Sequence, residues 1–215
     1  MGNKKGRHKK MFEIDPKTTR RARDFELWIK SPMPMVTLTK TFDVGRLRKA
    51  AKKQGIRFTT LMCWCVGKAA SGIPEFFMLP VGEKLMGYER LAVNVVVDTA
   101  DGGIATCDIP FSDSLSQFQS DYARLTRQAH DSGELFSLGD DYAIIGTSAL
   151  TNCEIDSFVN QYSGIWNNPF LMWGKYRRKL FKTTLPVSFQ FHHAQMDGGE
   201  AARFLNALQE TMNAV

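Results

Sequence analysis

The sequence predicts a single domain of mixed helix and strand, of the α/β or α+β class. Stretches with the two-residue alternation of strands are interspersed with stretches that show the three-and-four spacing of amphipathic helices. No internal repeat or low-complexity segment interrupts them. The chain has 215 residues, of which 43% are hydrophobic and 23% charged. This length and composition allow one buried core, as in an ordinary globular protein.

Local signals place the elements of the first half of the chain. Asp43 is a predicted helix cap and Gly55 a predicted helix end, because short polar residues favour the first position and glycine tolerates the left-handed last one. Thr59 or Thr60 opens a largely apolar helix that Gly72 and Pro74 end. We predict strands at 12–15, 33–42, 78–97 (with a turn at 81–84) and 103–109, and helices at 18–29, 43–54 and 59–70.

The second half opens with a long amphipathic helix and ends with a strand followed by a helix. The predicted helix at 113–130 places Leu115, Phe118, Tyr122 and Leu125 on one face. Strands are predicted at 142–148, 154–158, 171–176 and 185–193, with a loop at 164–169. After Gly198 and Gly199, the apolar residues follow helical spacing to Met212.

The segment where this last strand meets this last helix carries the strongest indication of function. It reads His192-His193-Ala194-Gln195-Met196-Asp197-Gly198. The alternation along 185–193 assigns His193 to the apolar side of the strand and His192 to the polar side. A partly desolvated imidazole stays neutral and can accept a proton, which makes His193 a candidate general base. Asp197 is placed to cap the helix or to interact with its dipole.

Other interpretations of the pair remain open. A histidine at a strand end can be a satisfied structural residue, and Asp197 can be a helix cap alone. A metal site is disfavoured, because neighbouring residues on a strand point to opposite faces and cannot easily chelate one ion. We therefore predict no metal ligands.

The motif resembles that of the chloramphenicol acetyltransferase family, within the wider superfamily of coenzyme-A-dependent acyltransferases. The resemblance extends from about residue 12 to 212. The family's segments have counterparts at 21–26 (Arg-Ala-Arg-Asp-Phe-Glu), 56–58 (Ile-Arg-Phe), 74–76 (Pro-Glu-Phe), 148–158 (which begins Ser-Ala-Leu) and 174–176 (Gly-Lys-Tyr).

The resemblance implies a mixed sheet with helices on one face, and acetyl transfer from acetyl-CoA directly to a hydroxyl. His193 would be the base and Ser148 would stabilise the oxyanion. Asp197 would form an ion pair with Arg21, although Arg20 or Arg23 could be the partner. Arg57 and Lys175 match basic positions near the coenzyme phosphates. Acetyl-CoA would be a co-substrate, with no permanently bound cofactor, and three subunits would form a homotrimer with sites between neighbours.

Several positions depart from the family pattern. Gly199 and Glu200 replace a Phe-His pair, Met172 replaces a threonine that assists the transition state, and Thr151-Asn152 replaces Pro-Trp. These changes leave two alternatives to a chloramphenicol acetyltransferase associated with antibiotic resistance. One is the same chemistry on another hydroxyl or amine. The other is a binding protein with a decayed site.

Charge and cysteine content indicate the compartment. The net charge is +6, and residues 1–30 alone account for all of it with ten Lys/Arg and four Asp/Glu. We interpret residues 1–10 as a flexible basic tail and 11–215 as the single domain, with neither a nucleic acid nor a membrane as partner. No secretory signal or long apolar run is found, and none of the four cysteines forms a Cys-x-x-Cys motif. Cys63 and Cys65 are expected in the core, and the protein in the reducing cytoplasm.

Overall fold

The computed structural model describes residues 11–215, so the basic tail predicted at 1–10 lies outside the described residues. Its strands are β1 (Phe12–Ile14), β2 (Met35–Asp43), β3 (Met78–Val81), β4 (Lys84–Gly87), β5 (Leu91–Asp98), β6 (Ile104–Pro110), β7 (Ala143–Ala149), β8 (Phe170–Trp173), β9 (Arg177–Arg178) and β10 (Thr183–His192). The α-helices are α1 (Ala22–Trp28), α2 (Gly45–Gln54), α3 (Phe58–Ser71), α4 (Leu115–Ser132) and α5 (Gly198–Ala214), with short 3-10 turns at Pro16–Thr18, Pro74–Phe77 and Gly139–Asp141.

The main sheet is mixed and has the strand order β2-β10-β8-β7-β5-β6, with β9 paired to the start of β10. β7 runs parallel to β5 and β8, whereas the remaining pairs are antiparallel. A smaller antiparallel sheet has the order β1-β4-β3. The mixed sheet with helices on one face, as predicted, is confirmed.

The core lies between the main sheet and the helices. α3 is apolar around most of its circumference because it packs against the sheet as well as against α2, α4 and α5. Phe76, Phe189 and Phe204 form a cluster of aromatic contacts that joins the 3-10 turn, β10 and α5. A second, smaller cluster around Phe25 fixes α1 beside the small sheet.

Most elements agree with the prediction to within a few residues, and several details differ. The N-cap residues are Val44 for α2 and Arg57 for α3, not Asp43 and Thr59 or Thr60 as predicted, and neither makes a side-chain cap hydrogen bond. Residues 154–158 form no strand, because this segment crosses the helix-free face of the sheet and the Phe158 N–H donates to the Ser188 hydroxyl (2.8 Å). α1 begins at Ala22, after a separate 3-10 turn that Asp15 caps. β10 is buried on both faces, so the predicted polar side of this strand does not face solvent.

Gly55 ends α2 in the left-handed conformation, and Cys63 and Cys65 lie in the core, both as predicted. Among residues 11–215, no helix combines the length and the apolar character needed to cross a bilayer.

Candidate active site

The His-His segment leaves β10 through a tight turn. His192 is the last residue of β10, and its carbonyl accepts hydrogen bonds from the N–H groups of Gln195 (2.9 Å) and Met196 (3.3 Å). The His192 side chain is buried, and its Nδ1 accepts the Ala194 N–H (3.0 Å). Burial, reinforced by the neighbouring His193, lowers the pKa of His192 to about 4. His192 is therefore a neutral structural residue that shapes the turn.

His193 occupies the turn itself and is half-buried. Its backbone N–H donates to the Pro34 carbonyl (2.8 Å). One face of its imidazole stacks on Trp28 from α1, with ring centroids 4.5 Å apart and planes 5° from parallel. Within residues 11–215, no hydrogen-bond partner reaches its shielded Nδ1. Stacking on Trp28 and the backbone hydrogen bond to Pro34 thus hold His193 in place. Its Nδ1 makes no hydrogen bond to the described residues.

Arg21 connects α1 to the turn that carries His193. Its Nη1 lies 2.9 Å from Asp197 Oδ2, and its Nη2 donates to the His193 carbonyl (2.8 Å). Arg21 itself, and not Arg20 or Arg23, thus meets Asp197. The Arg21 side chain is 5% exposed and the Asp197 side chain 41%, so the pair sits at the edge of the buried region. One guanidinium therefore fixes both the turn and the start of α5.

Asp197 is also the N-cap of α5. Its Oδ1 accepts the Gly199 N–H (2.8 Å), while its own N–H donates to Glu200 Oε2 (3.1 Å), which completes a capping box. Hydrogen bonding with the Glu200 carboxyl, the Gly199 N–H and the Arg21 guanidinium together hold the pKa of Asp197 well below its usual range. Asp197 is accordingly ionised at neutral pH and acts as both a cap and an ion-pair partner.

Ser148 lies elsewhere in the same chain. It is near the end of β7, in register with Met172 on β8, which is in turn in register with Ser188 on β10. Two strand spacings and five residues along β10 therefore separate Ser148 from His193, a distance of roughly 15–20 Å. One subunit does not bring these two side chains together.

The sheet face beside Met172, the residue in register with Ser148, holds one small cavity. A cavity of about 10 Å³ lies between Met172, Phe158 and their neighbours. This volume holds about one water molecule. Its walls are Thr37, Phe158, Asn160, Phe170, Met172, Ser188 and Gln190. A drug-sized acceptor does not fit into this cavity within one chain.

Arg57 and Lys175, the residues matched to the coenzyme phosphates, lie on neighbouring elements. Arg57 is the exposed N-cap residue of α3, and Lys175 is exposed in the loop after β8. Phe58 and Tyr176, the residues that follow them, contact each other with ring centroids 5.4 Å apart. This contact brings the two basic residues to the same end of the molecule, beyond the β9 end of β10 and away from His193.

Sequence reasoning did not identify Trp28 or the structural role of Glu200. Trp28 lies in α1, and its contact with His193 joins positions 165 residues apart, which no local pattern encodes. Glu200 had a local signal, since Asp197 followed three residues later by a glutamate is a capping box. Among the described residues, no group of three or more His, Cys, Asp or Glu side chains could hold a metal ion.

Comparisons with known proteins agree on one family. A model of the chloramphenicol acetyltransferase family matches residues 10–209. Chloramphenicol acetyltransferase 2 of Escherichia coli is 28% identical over 200 residues, which cover 91% of this chain and 94% of that protein. Chloramphenicol acetyltransferase 3 of Escherichia coli is 26% identical, covering 94% and 97%.

Solved structures show the same fold. A chloramphenicol acetyltransferase structure superposes with a TM-score of 0.82 at 22% identity and covers 94% of this chain and 99% of its own. The cubic core of the pyruvate dehydrogenase multienzyme complex superposes with a TM-score of 0.67, also at 22% identity, covering 92% and 86%.

Proposed function

Because the chain belongs to the chloramphenicol acetyltransferase family and is thus an acyltransferase, we propose that it transfers acetyl from acetyl-CoA to the hydroxyl of a small acceptor. The observation that carries the proposal is the placement of His193. Its half-buried ring stacks on Trp28, and its backbone carbonyl is held by the buried Arg21, which is paired with Asp197. A base held in this way can act on an acceptor without first reorganising.

The proposed reaction has one tetrahedral intermediate. A ring nitrogen of His193 takes the acceptor's hydroxyl proton as its oxygen bonds to the thioester carbonyl carbon. The carbonyl oxygen becomes an oxyanion, to which Ser148 donates a hydrogen bond. As the intermediate collapses, the carbon–sulfur bond breaks, the ester leaves, and the coenzyme A thiolate takes the proton from the imidazolium.

Ser148 and His193 would come from different subunits. Their separation of roughly 15–20 Å within one chain rules out joint action there, so the proposed site requires a neighbour. We propose a homotrimer, in which a threefold ring supplies three identical sites. Arg57 and Lys175 would bind the phosphates of acetyl-CoA, since exposed cations suit multiply charged groups. No permanently bound cofactor is needed for this chemistry.

The acceptor is the finer part of the proposal. Chloramphenicol is the first candidate because the curated relatives carry its name. Met172 favours a second candidate, a different hydroxyl or amine acceptor. It lies beside Ser148 in the sheet and cannot donate the hydrogen bond of the threonine that the family pattern has there. With the first candidate we also propose a role in antibiotic resistance and a cytoplasmic location.

The decisive experiment measures free thiol released from acetyl-CoA by purified protein with chloramphenicol, and then with a panel of other alcohols and amines. We expect acceptor-dependent thiol release that His193→Ala reduces by about 100- to 10,000-fold. Release with another acceptor but not with chloramphenicol would support the second candidate. No turnover with any acceptor, or full activity of His193→Ala, would overturn the mechanism.

A further inference from the structure

Arg21 faces more negative charge than one partner supplies. Besides Asp197, its Nη1 lies 3.3 Å from Asp24 Oδ2 and 3.7 Å from Glu200 Oε2. Three carboxylates thus surround one guanidinium that is almost fully buried. All three lie near the same nitrogen, Nη1, so together they hold that side of the guanidinium while Nη2 donates to the His193 carbonyl.

Glu200 differs from the other two carboxylates because its two oxygens have separate partners. Oε2 accepts the Asp197 N–H (3.1 Å) and faces Arg21, whereas Oε1 lies 3.2 Å from Arg203 Nη2. The Glu200 side chain is 15% exposed and that of Arg21 5%, so their interaction is less screened than that of a surface pair, whereas Arg203 is 57% exposed and its contact with Glu200 is screened more. Glu200 therefore joins the charge group around Arg21 to a second arginine.

Arg203 extends this connection to another part of the fold. Its Nη2 lies 3.6 Å from Glu75 Oε2, on the 3-10 turn that precedes β3. The Glu75 carbonyl accepts Gln195 Nε2 (3.0 Å), and the same nitrogen donates to the Met78 carbonyl (2.7 Å). Gln195 lies two residues after His193 and is buried. The contacts thus form a closed circuit that holds the turn of His193 from both sides.

We propose that Glu200 is a positioning residue for His193, acting through Arg21 on one side and through Arg203 and Glu75 on the other. This inference rests on the proposed function and goes beyond the pair of Arg21 and Asp197. The circuit links α1, the 3-10 turn before β3, the turn of His193 and the first turn of α5. Loss of Glu200 removes the carboxylate nearest to Arg203 and the side-chain acceptor of the Asp197 N–H. The turn that carries His193 can then shift. A shift of about 1 Å at a catalytic group can lower a rate by up to 100-fold.

The test compares Glu200→Ala, Glu200→Gln and a matched control, Glu210→Ala, in the full-length protein. Glu210 lies on the same helix, is exposed, and has no partner among residues 11–215. We expect Glu200→Ala to lower kcat by about 10- to 100-fold, with KM for acetyl-CoA and for the acceptor little changed. Glu200→Gln keeps an acceptor for the Asp197 N–H but lacks the charge that attracts Arg21 and Arg203, so its kcat should fall between those of the wild type and Glu200→Ala. Glu210→Ala should match the wild type.

Two further measurements separate positioning from mere helix stability. All rates are taken well below the unfolding temperature of each variant, where a purely structural effect would leave kcat unchanged. Arg203→Ala should also lower kcat. The double variant with Glu200→Ala should show a smaller fold-loss in kcat than the product of the two single fold-losses, because both residues act in one circuit.

The outcomes distinguish this inference from the proposed function. If the wild type releases no thiol with any acceptor, the proposed function fails, and the inference fails with it. If the wild type is active and Glu200→Ala retains its full kcat, only the inference is overturned. An equal loss in Glu200→Ala and Glu210→Ala, or a change confined to KM, would also overturn it.

Discussion

The indole of Trp28 lies flat against the imidazole of His193, with ring centroids 4.5 Å apart and planes 5° from parallel. The contact joins α1 to the turn after β10. Arg21, the N-cap residue of α1, donates a hydrogen bond to the His193 carbonyl. The helix α1 and its N-cap residue Arg21 together therefore hold both the ring and the backbone of the proposed base. α1 is in turn fixed by the small apolar cluster around Phe25.

Replacement of Trp28 should slow the proposed reaction. When His193 takes a proton, the indole face attracts the imidazolium through a cation–π interaction. We expect Trp28→Ala to lower kcat by about 2- to 30-fold, which corresponds to about 0.5–2 kcal/mol. Trp28→Phe, which keeps an aromatic face, should lose less. Leu27→Ala, an exposed neighbour on the same helix, serves as the control. Equal kcat for Trp28→Ala and the wild type would contradict this role.

Co-expression of two inactive variants should restore activity if the site lies between subunits. Subunits with Ser148→Ala keep His193, and subunits with His193→Ala keep Ser148. Each closed ring of three that mixes the two variants should then have both wild-type residues at one of its three sites. The measurement is thiol release by mixed trimers, separated with two different affinity tags. Mixed trimers that are no more active than either variant alone would contradict a site shared between subunits.

Asp197 should contribute to stability in a pH-dependent way. Its pKa in the folded protein lies below the ordinary value of 3.8, chiefly through hydrogen bonding with Glu200. A lowered carboxyl pKa stabilises the folded state fully above the ordinary value, and this contribution is lost as pH falls below it. Asp197→Asn should therefore be less stable than the wild type at pH 7, and the difference should narrow below about pH 4.

Chemical denaturation at fixed protein concentration measures this difference, since the stability of an oligomer depends on concentration. Glu210→Gln, which removes an exposed carboxylate on the same helix, should show no such pH-dependent difference. A constant gap between Asp197→Asn and the wild type from pH 7 to pH 3 would contradict the ionised role of Asp197.

The sequence predicts the elements and the local motif well because both depend on short-range patterns. The alternation along β10 and the spacing of Phe204, Leu205 and Leu208 indicate the strand and helix that flank His193, and the structure has both. Asp197 caps α5 as its position predicts. These signals need only a few neighbouring residues.

The features that sequence reasoning missed depend on long-range packing. Parity along β10 assigns His192 to the polar side of the strand, but Phe158 and Asn160 contact that side at Ser188 and Gln190, and the strand is buried on both faces. The stacking of Trp28 on His193 and the link from Glu200 to Glu75 through Arg203 join distant parts of the chain. No local periodicity encodes which elements meet in this way.

Acid should destabilise the protein through His192 in a window above that of Asp197. Burial lowers the pKa of His192 from 6.5 to about 4, and the unfolded chain therefore binds a proton in this range that the folded chain does not. The contribution of His192 to the free energy of unfolding is then fully present above about pH 6.5 and falls as pH decreases to about 4, by at most about 3 kcal/mol.

His192→Asn retains an acceptor for the Ala194 N–H but does not titrate. Chemical denaturation should therefore show a smaller fall in the free energy of unfolding between pH 6.5 and 4 for this variant than for the wild type. The control His130→Asn, at an exposed histidine on α4, should show the same fall in stability as the wild type. An identical decline in His192→Asn and the wild type between pH 6.5 and 4 would show that another group causes the acid sensitivity.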